Sequence, residues 1–261
     1  MIAATFAKLR ERGEGALVPF VTAGDPDLRQ LPSILTALAE AGADMVEVGI
    51  PFSDPIADGP TIQASSQRAL DKGVTPDAVL GALADTRLSI PVVLMGYLNP
   101  MLRMGLARFA ARARQAGAAG VIVSDLTPEE ADEWRAAAQD EGLDTVFLAA
   151  PTSTDARLAA VAAASTGFVY AVSRTGVTGH GNEAPPEVAD LVHRLRAHTG
   201  LPICVGFGIS APDHVARVCQ AADGAVVGSW LVDVLWRTWR DGAGRDEVVA
   251  AVRALKDSTR R

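Results

Sequence analysis

Positive charge, cysteine, aromatic residues and long apolar runs are all in short supply in this chain. Lys and Arg total 24 against 31 Asp and Glu, a net charge of −7 over 261 residues. That balance argues against a protein that grips nucleic acid by its phosphate backbone, which needs a basic face to displace counterions, and leaves room only for a local basic site. The two cysteines have neither CxxC nor His/Cys spacing. Cys204 lies in the apolar run LPICVGF and Cys219 in a helical pattern, so both read as buried thiols of a reducing cytoplasm and no metal site is expected. No segment approaches the roughly 20 uninterrupted apolar residues of a membrane span. The N-terminal MIAATFAKLRERGEG is broken by charges before a signal-peptide core can form. Aromatics supply 5% of the residues against 49% hydrophobic in all, which leaves a core of Ala, Val, Leu and Ile, the usual filling between helices and a parallel sheet.

Short runs rich in β-branched residues recur along the chain, with Ala-rich helical patterns between them, as in repeated βα units. Eight runs qualify: ALVPFVTAG from Ala16, ADMVEVGI from Ala43, PVVLMGYL from Pro91, GVIVSDL from Gly120, DTVFLAA from Asp144, GFVYAVS from Gly167, PICVGFG from Pro202 and GAVVGS from Gly224. Eight parallel strands, each followed by a helix, close into a (β/α)8 TIM barrel, which typically takes about 250 residues. The alternative is a doubly wound open sheet, but no GxGxxG follows the first run, where VTAGDP stands instead. Helix C-caps are expected at the steps Ala41 and Gly42, Ala116 and Gly117, Glu141 and Gly142, and Thr199 and Gly200. No Pro/Ser-rich linker or charge block divides the chain, so residues 1–261 are expected to form a single domain. Residues 1–12 should make a helix that caps the bottom of the barrel. The stretch from Trp230 to about Leu255 should make the eighth helix, broken at DGAG.

In such barrels the active site sits at the C-terminal ends of the strands. The stretch VEVGIPFSDPIADGP, Val46 to Pro60, places Glu47 within the second strand and Asp54 and Asp58 in the loop after it, which Pro51, Pro55 and Pro60 stiffen without making it helical. Two carboxylates facing one pocket are a candidate acid/base pair. Arg174 is the one Lys or Arg near a strand's C-terminal end, so Glu47 lacks a ready ion-pair partner and a dry site should raise its pKa. Asn99 lies in the third loop. The sixth is SRTGVTGHGNE, Ser173 to Glu183, the seventh begins GFGIS, and the eighth is Gly228 and Ser229. Glycines in these last three loops, with helices starting at Ser210 or Ser229, form a cup of backbone N–H groups for a phosphate that requires no Lys or Arg, to which Gly176 and Gly179 would add donors. Tyr97 and Tyr170, the only tyrosines, and Phe20 and Phe207 all fall near strand ends, where they suit a flat, apolar substrate portion beside the phosphate. His193, His198 and His214 fall in helical segments, and His180 alone lies near the site.

VPFVTAGDP, EVGIPFSDPIADGPTIQ, LMGYLNP, the VTG of the sixth loop, and VGFGIS followed by a late VVGS occur in the order and at the strand ends of the tryptophan synthase α-subunit family, which the chain resembles over essentially its whole length. The resemblance implies a lyase of tryptophan biosynthesis that cleaves indole-3-glycerol phosphate to indole and D-glyceraldehyde 3-phosphate by retro-aldol chemistry. Indole C3 first gains a proton, and the C–C bond breaks as the side-chain hydroxyl loses its own. By position Glu47 matches the general acid/base and Asp58 the carboxylate that holds the indole N–H. Tyr170 matches a residue lining the site, as Tyr97 is expected to from its place at the strand end, and Thr178 matches the threonine that engages Asp58 when the loops close. Gly179, Gly208, Gly228 and Ser229 match the phosphate donors, and Phe20, Ile62, Leu94, Phe207 and Val226 the indole-pocket walls. The family works as an αββα complex, so the resemblance also implies a β-subunit partner that holds pyridoxal phosphate, a face toward it that includes Asp54, Pro55, Asn99 and Pro100, no cofactor in this chain and a cytoplasmic setting. Three features depart from the family pattern: GHGNE with His180, Thr127 where Pro is common, and Trp230 after Ser229. The rival readings are a sugar-phosphate epimerase or isomerase and a catalytically silent barrel that only activates a β subunit.

Overall fold

Strict alternation of side chains along parallel strands sorts this chain into an inner and an outer layer. The computed structural model describes residues 1–172, 186–206 and 208–261. Its strands are β1 (Ala16–Thr22), β2 (Val46–Gly49), β3 (Val92–Gly96), β4 (Ala118–Val123), β5 (Asp144–Val146), β6 (Leu148–Ala149), β7 (Val169–Val172), β8 (Ile203–Gly206) and β9 (Gly224–Val227). The helices of the first half are α1 (Ile2–Glu11), α2 (Leu31–Glu40), α3 (Pro60–Asp71), α4 (Pro76–Ala84), α5 (Leu98–Met104) and α6 (Leu106–Gln115). Those of the second half are α7 (Asp132–Asp140), α8 (Asp155–Ala164), α9 (Pro186–Arg196), α10 (Pro212–Ala221), α11 (Ser229–Thr238) and α12 (Arg245–Asp257).

All eight expected strands are present. The sheet runs β5-β4-β3-β2-β1-β9-β8-β7-β6, and every adjacent pair is parallel. Its two ends, β5 and β6, are the halves of the expected fifth strand, and Phe147 between them accepts a hydrogen bond from Tyr170 N at 3.1 Å. The sheet therefore meets itself within one stretch of chain, and the fold is the (β/α)8 barrel rather than the open sheet. Val18, Phe20, Met45, Val93, Met95 and Ile122 pack in the barrel's interior, whereas Leu17, Val21, Val46, Val48, Leu94 and Val121 pack under the helices.

The expected bottom cap forms as α1. Ile2, Phe6 and Leu9 are buried, and the Ile2 Cδ1 methyl fills the space that side chains at Gly120 and Gly167 would occupy. Burial of a side chain of this size contributes about 1.5–3 kcal/mol. The break expected at DGAG is also found, between α11 and α12, with Asp241, Gly242 and Gly244 at φ of 48°, 87° and 80°. Lys256 of α12 reaches Glu14 at 2.9 Å and Asp44 at 3.0 Å, and Asp44 in turn accepts from Leu17 N at 2.8 Å. Three of the four expected glycine caps adopt positive φ: Gly42, Gly117 and Gly142. The fourth does not. α9 ends at Arg196, and Thr199 turns the chain with its own hydroxyl, which accepts from Leu201 N at 3.0 Å.

Gly120 lies where α1 meets the strands, and a Cβ there would stand 2.8 Å from the Asp144 carbonyl oxygen and 3.1 Å from Ile2 Cδ1. Gly120→Ala is expected to cost about 1–3 kcal/mol by overpacking, read as a lower denaturant midpoint with an unchanged slope.

Candidate active site

Val46 and Val48 point out to the helices, so Glu47 between them points into the barrel. It is 1% exposed, and neither carboxyl oxygen has a hydrogen-bond partner among the described residues. Loss of hydration, with the charge of Asp58 as a second cause, pushes its pKa up to about 8. A carboxyl in this setting holds its proton at neutrality and can release it when a basic atom arrives.

Asp58 stands at the rim, in the loop between β2 and α3. Its backbone N–H closes a turn onto the Pro55 carbonyl at 3.0 Å, and its carbonyl accepts from Gln63 Nε2 at 2.8 Å. Burial pushes the carboxyl up to about 6, against the opposing hydrogen bond from the Tyr97 hydroxyl. Tyr97 also accepts from Ala57 N at 3.1 Å and stacks on Phe52 with ring centroids 5.1 Å apart. The tyrosine at the end of β3 therefore works mainly by anchoring the Asp58 loop.

Glu47 and Asp58 share a cleft of about 80 Å3 at the C-terminal mouth of the barrel. Phe20, Ile62, Met95 and Val226 wall it, Tyr170 lines it beside Glu47, and Gly208, Gly228 and Ser229 close the far end. Two glycines make this shape: Gly49, which the sequence reading passed over, and Gly206, which it counted with the cup of the seventh loop. A Cβ at Gly49 would lie 2.5 Å from Phe20 Cζ, and one at Gly206 would lie 2.2 Å from the Tyr170 hydroxyl. The rings occupy the space that those side chains would need.

Leu94 is a correction. It packs under the helices, because β3 pairs Val93 with Glu47 and Leu94 with Val48. Its neighbour Met95 is the residue that faces the cleft. A slip of one residue along a strand exchanges the two faces, and counting in twos across from the inward Glu47 gives the right one.

At the far end Gly228 is the N-cap of α11 and Ser229 its first residue, so the unpaired N–H groups and positive dipole end of that helix face the cleft beside Gly208. Among the described residues no Lys or Arg side chain lines the cleft. The other expected helix start moves. α10 begins at Pro212 rather than at Ser210, whose N–H donates to His214 Nδ1 at 3.4 Å. Trp230 packs, partly buried, against the helix–sheet layer. Thr178, Gly179 and Phe207, with Arg174, Gly176 and His180, lie outside the described residues. Cys204 and Cys219 are buried free thiols. Among the described residues no three His, Cys, Asp or Glu side chains gather as a metal site, and no helix is long and apolar enough to cross a membrane.

Asp54 and Asn99 are exposed, and Pro55 and Pro100 half-buried, on the outer side of the same mouth. Asn99 and Pro100 belong to the first turn of α5 rather than to a loop. Ile56, next to Pro55, is 82% exposed, and Leu102 of α5 is 50% exposed.

A protonated carboxyl in a dry floor, a carboxylate at the rim and a cup of N–H donors opposite suit a flat apolar group joined to a phosphate. Comparison with known proteins agrees. The family model for tryptophan synthase alpha chain matches residues 6–260. A tryptophan synthase alpha chain of Geobacter sulfurreducens is 50% identical over 98% of each chain, and one of Geotalea uraniireducens is 49% identical over 98% of this chain and 96% of its own. A crystal structure of tryptophan synthase from M. tuberculosis superposes with a TM-score of 0.89 at 37% identity over 99% of each chain. One of the alpha subunit from Legionella pneumophila gives 0.90 at 35% over 99% of this chain and 97% of its own. With the match running through the cap helix, every strand and the terminal helix, the chain belongs to the tryptophan synthase alpha chain family.

Proposed function

We propose that this chain cleaves indole-3-glycerol phosphate to indole and D-glyceraldehyde 3-phosphate by a retro-aldol reaction, with Glu47 as general acid/base and Asp58 as the partner of the indole N–H. The observation that carries the reading is the buried Glu47 carboxyl with no hydrogen-bond partner among the described residues. Protonated at neutrality, it gives its proton to indole C3. The ring then bears a positive charge, which the ionised Asp58 at the N–H offsets. The side-chain hydroxyl loses its proton to the Glu47 carboxylate and becomes the aldehyde, and the electrons of the broken C–C bond return to the indole. One proton enters and one leaves, so Glu47 ends as it began. The phosphate rests on the N–H groups of Gly179, Gly208, Gly228 and Ser229. Phe20, Ile62, Phe207, Val226 and Met95 enclose the ring, with Tyr170 beside the reacting carbon and Thr178 meeting Asp58 on closure.

The residues form a single cytoplasmic domain that needs no cofactor of its own. Its partner is the β subunit of an αββα assembly, which holds pyridoxal phosphate. The exposed Ile56, in one loop with Asp54 and Pro55, and Leu102, in one helix with Asn99 and Pro100, support that face as the docking surface, since exposed large apolar side chains are what a subunit interface covers.

The direct test is indole release from indole-3-glycerol phosphate by the purified chain, with and without a tryptophan synthase β subunit. Slow release that rises strongly with the partner is expected. Equal, fast release in both conditions would make the chain a free-standing lyase, and none in either would reject the lyase reading.

Glu47→Gln is expected to lower kcat by about 10³-fold or more while binding of a phosphate-bearing analogue persists. The same variant has a stability signature. With the folded carboxyl at about 8 against an ordinary value of 4.5, the folded wild-type chain binds the extra proton between those limits. Its stability therefore falls as pH rises through that window and levels off above it. Glu47→Gln removes this slope, so its stability relative to wild type should climb from pH 5 to 8 and then stay flat in denaturant titrations.

For kcat/KM of the wild type, activity requires Asp58 ionised and Glu47 protonated. The profile should rise through about pH 6 and fall through about pH 8. Asp58→Asn is expected to cost about 10²–10³-fold in kcat and to move the alkaline limb downward, because the Asp58 charge is one of the two causes that raise Glu47. An alkaline limb that stays in place would remove Glu47 as its origin.

A further inference from the structure

A row of hydroxyls behind Asp58 has no part in the mechanism above. Thr22, Ser65 and Ser66 are 2%, 0% and 5% exposed. Thr22 Oγ1 and Ser65 Oγ lie 2.6 Å apart, and Ser65 donates to the Ile62 carbonyl at 2.8 Å. A hydroxyl has one proton to give. With that of Ser65 committed to Ile62, the proton between the pair belongs to Thr22, which donates to Ser65 and keeps only acceptor lone pairs for any other contact. Tyr97 is likewise fully used, since it accepts from Ala57 N and donates to Asp58.

Ser66 Oγ is different. It has no hydrogen-bond partner among the described residues and opens onto a small cavity that Thr22, Asp58 and Tyr97 also line. The free interior of that cavity is about 10 Å3, room for about one water. Thr22 and Asp58 both line it and have only acceptors left to offer, so they do not bond each other, and among the described residues Ser66 supplies the free donor. A single water resolves all three: it donates to Asp58 and to Thr22 Oγ1 and accepts from Ser66, the three bonds usual for a buried water.

We propose that Asp58 is held from behind by a one-water relay to Ser66 and Thr22, which makes these two hydroxyls positioning residues for the rim carboxylate. Thr22 ends β1, two residues beyond the wall residue Phe20, and Ser65 and Ser66 sit in α3, one turn beyond Ile62. The relay thus ties the carboxylate to the strand and the helix that shape the ring pocket. Among the described residues Glu47, Tyr97 and Tyr170 are the other titratable groups facing Asp58, and none of them is removed in the test. The catalytic consequence rests on the role of Asp58 proposed above, whereas the relay itself is read without turnover.

The experiment is a carbon-13 NMR titration of the Asp58 carboxyl in the free full-length chain, wild type against Ser66→Ala, with a high-resolution crystal structure of the wild type. A donated hydrogen bond favours the ionised form, so Ser66→Ala should raise the Asp58 midpoint by about half a pH unit and Ser66→Thr should restore it. In the complex with a β subunit, the acid limb of kcat/KM should move up with that midpoint, about twofold less activity at pH 6, with KM for the substrate unchanged at pH 8. Thr22→Val should raise the midpoint too, and if it fails to fold Ser66→Ala carries the test alone. An unmoved Asp58 midpoint in Ser66→Ala, or a wild-type crystal with no water in the cavity, would overturn the relay. Wild-type turnover by Asp58→Asn together with a shifted midpoint in Ser66→Ala would keep the relay and reject the catalytic role.

Discussion

The chemistry of this barrel depends on one unfavourable contact, a carboxyl turned into hydrocarbon with no hydrogen bond to receive it. The alternation of β2 forces the arrangement, because Val46 and Val48 take the outer face and only the inner one is left for Glu47. In water the group would ionise at weakly acidic pH, and here it keeps its proton to about pH 8. A carbon atom is a poor base, so an acid that is to protonate an indole carbon gains from being held in its neutral form without a competing acceptor. The lack of a partner is what leaves the proton available.

Asp58 answers this with the opposite setting. It lies at the rim, holds a hydrogen bond from Tyr97 and titrates about two units lower than Glu47. The two carboxyls also act on each other, since the charge on one raises the proton affinity of the other, and their titrations belong to the pair. Over the interval between the two values the site holds one proton, on Glu47, and one negative charge, on Asp58. In the proposed reaction, protonation of the ring consumes the first and creates the positive charge that the second would meet. At the other end of the cleft the described groups that would meet the proposed phosphate are backbone N–H groups and a helix terminus. These carry no full positive charge, so among the described residues no cation there pulls the carboxyl pair toward complete ionisation.

Much of this was legible before any coordinates. Every strand, the α1 cap and the break before α12 follow from β-branched runs, glycines and charges that act over a few neighbours. Glu47 and Asp58 stood out because acidic residues at strand ends have few other uses. What escaped depended on distances between strands. Leu94 was taken for a wall in place of Met95 because the resemblance was carried across one residue out of register, and in a strand that exchanges the faces. Gly49 and Gly206 look like ordinary glycines until the rings of Phe20 and Tyr170 are seen in the space beside them. Gly200 resembled a cap, but Thr199 offered its hydroxyl to the turn and the glycine was not needed. Tyr97 was read as a pocket wall, and only the folded loop brings it under Asp58.

The barrel separates what makes it stable from what makes it reactive. At its lower end charges are paired and donors are met. Lys256 joins Glu14 and Asp44, and Asp223 accepts from Ile203 N at 2.9 Å while pairing with Arg196 and Arg261. Ile2 and Phe6 seal the interior from below. At the upper end Glu47 and Ser66 have no hydrogen-bond partner among the described residues, and the first turn of α11 is left facing the cleft. A barrel tolerates this because the packing that positions Glu47 is distributed around the whole ring of strands, which offsets the sizeable cost of the unsatisfied groups at one end. The same closure keeps water from reaching the Glu47 carboxyl from below, and a hydrated carboxyl would titrate near its ordinary value. The lower end thereby governs the proton at the upper one through solvent exclusion, with no direct contact between the two.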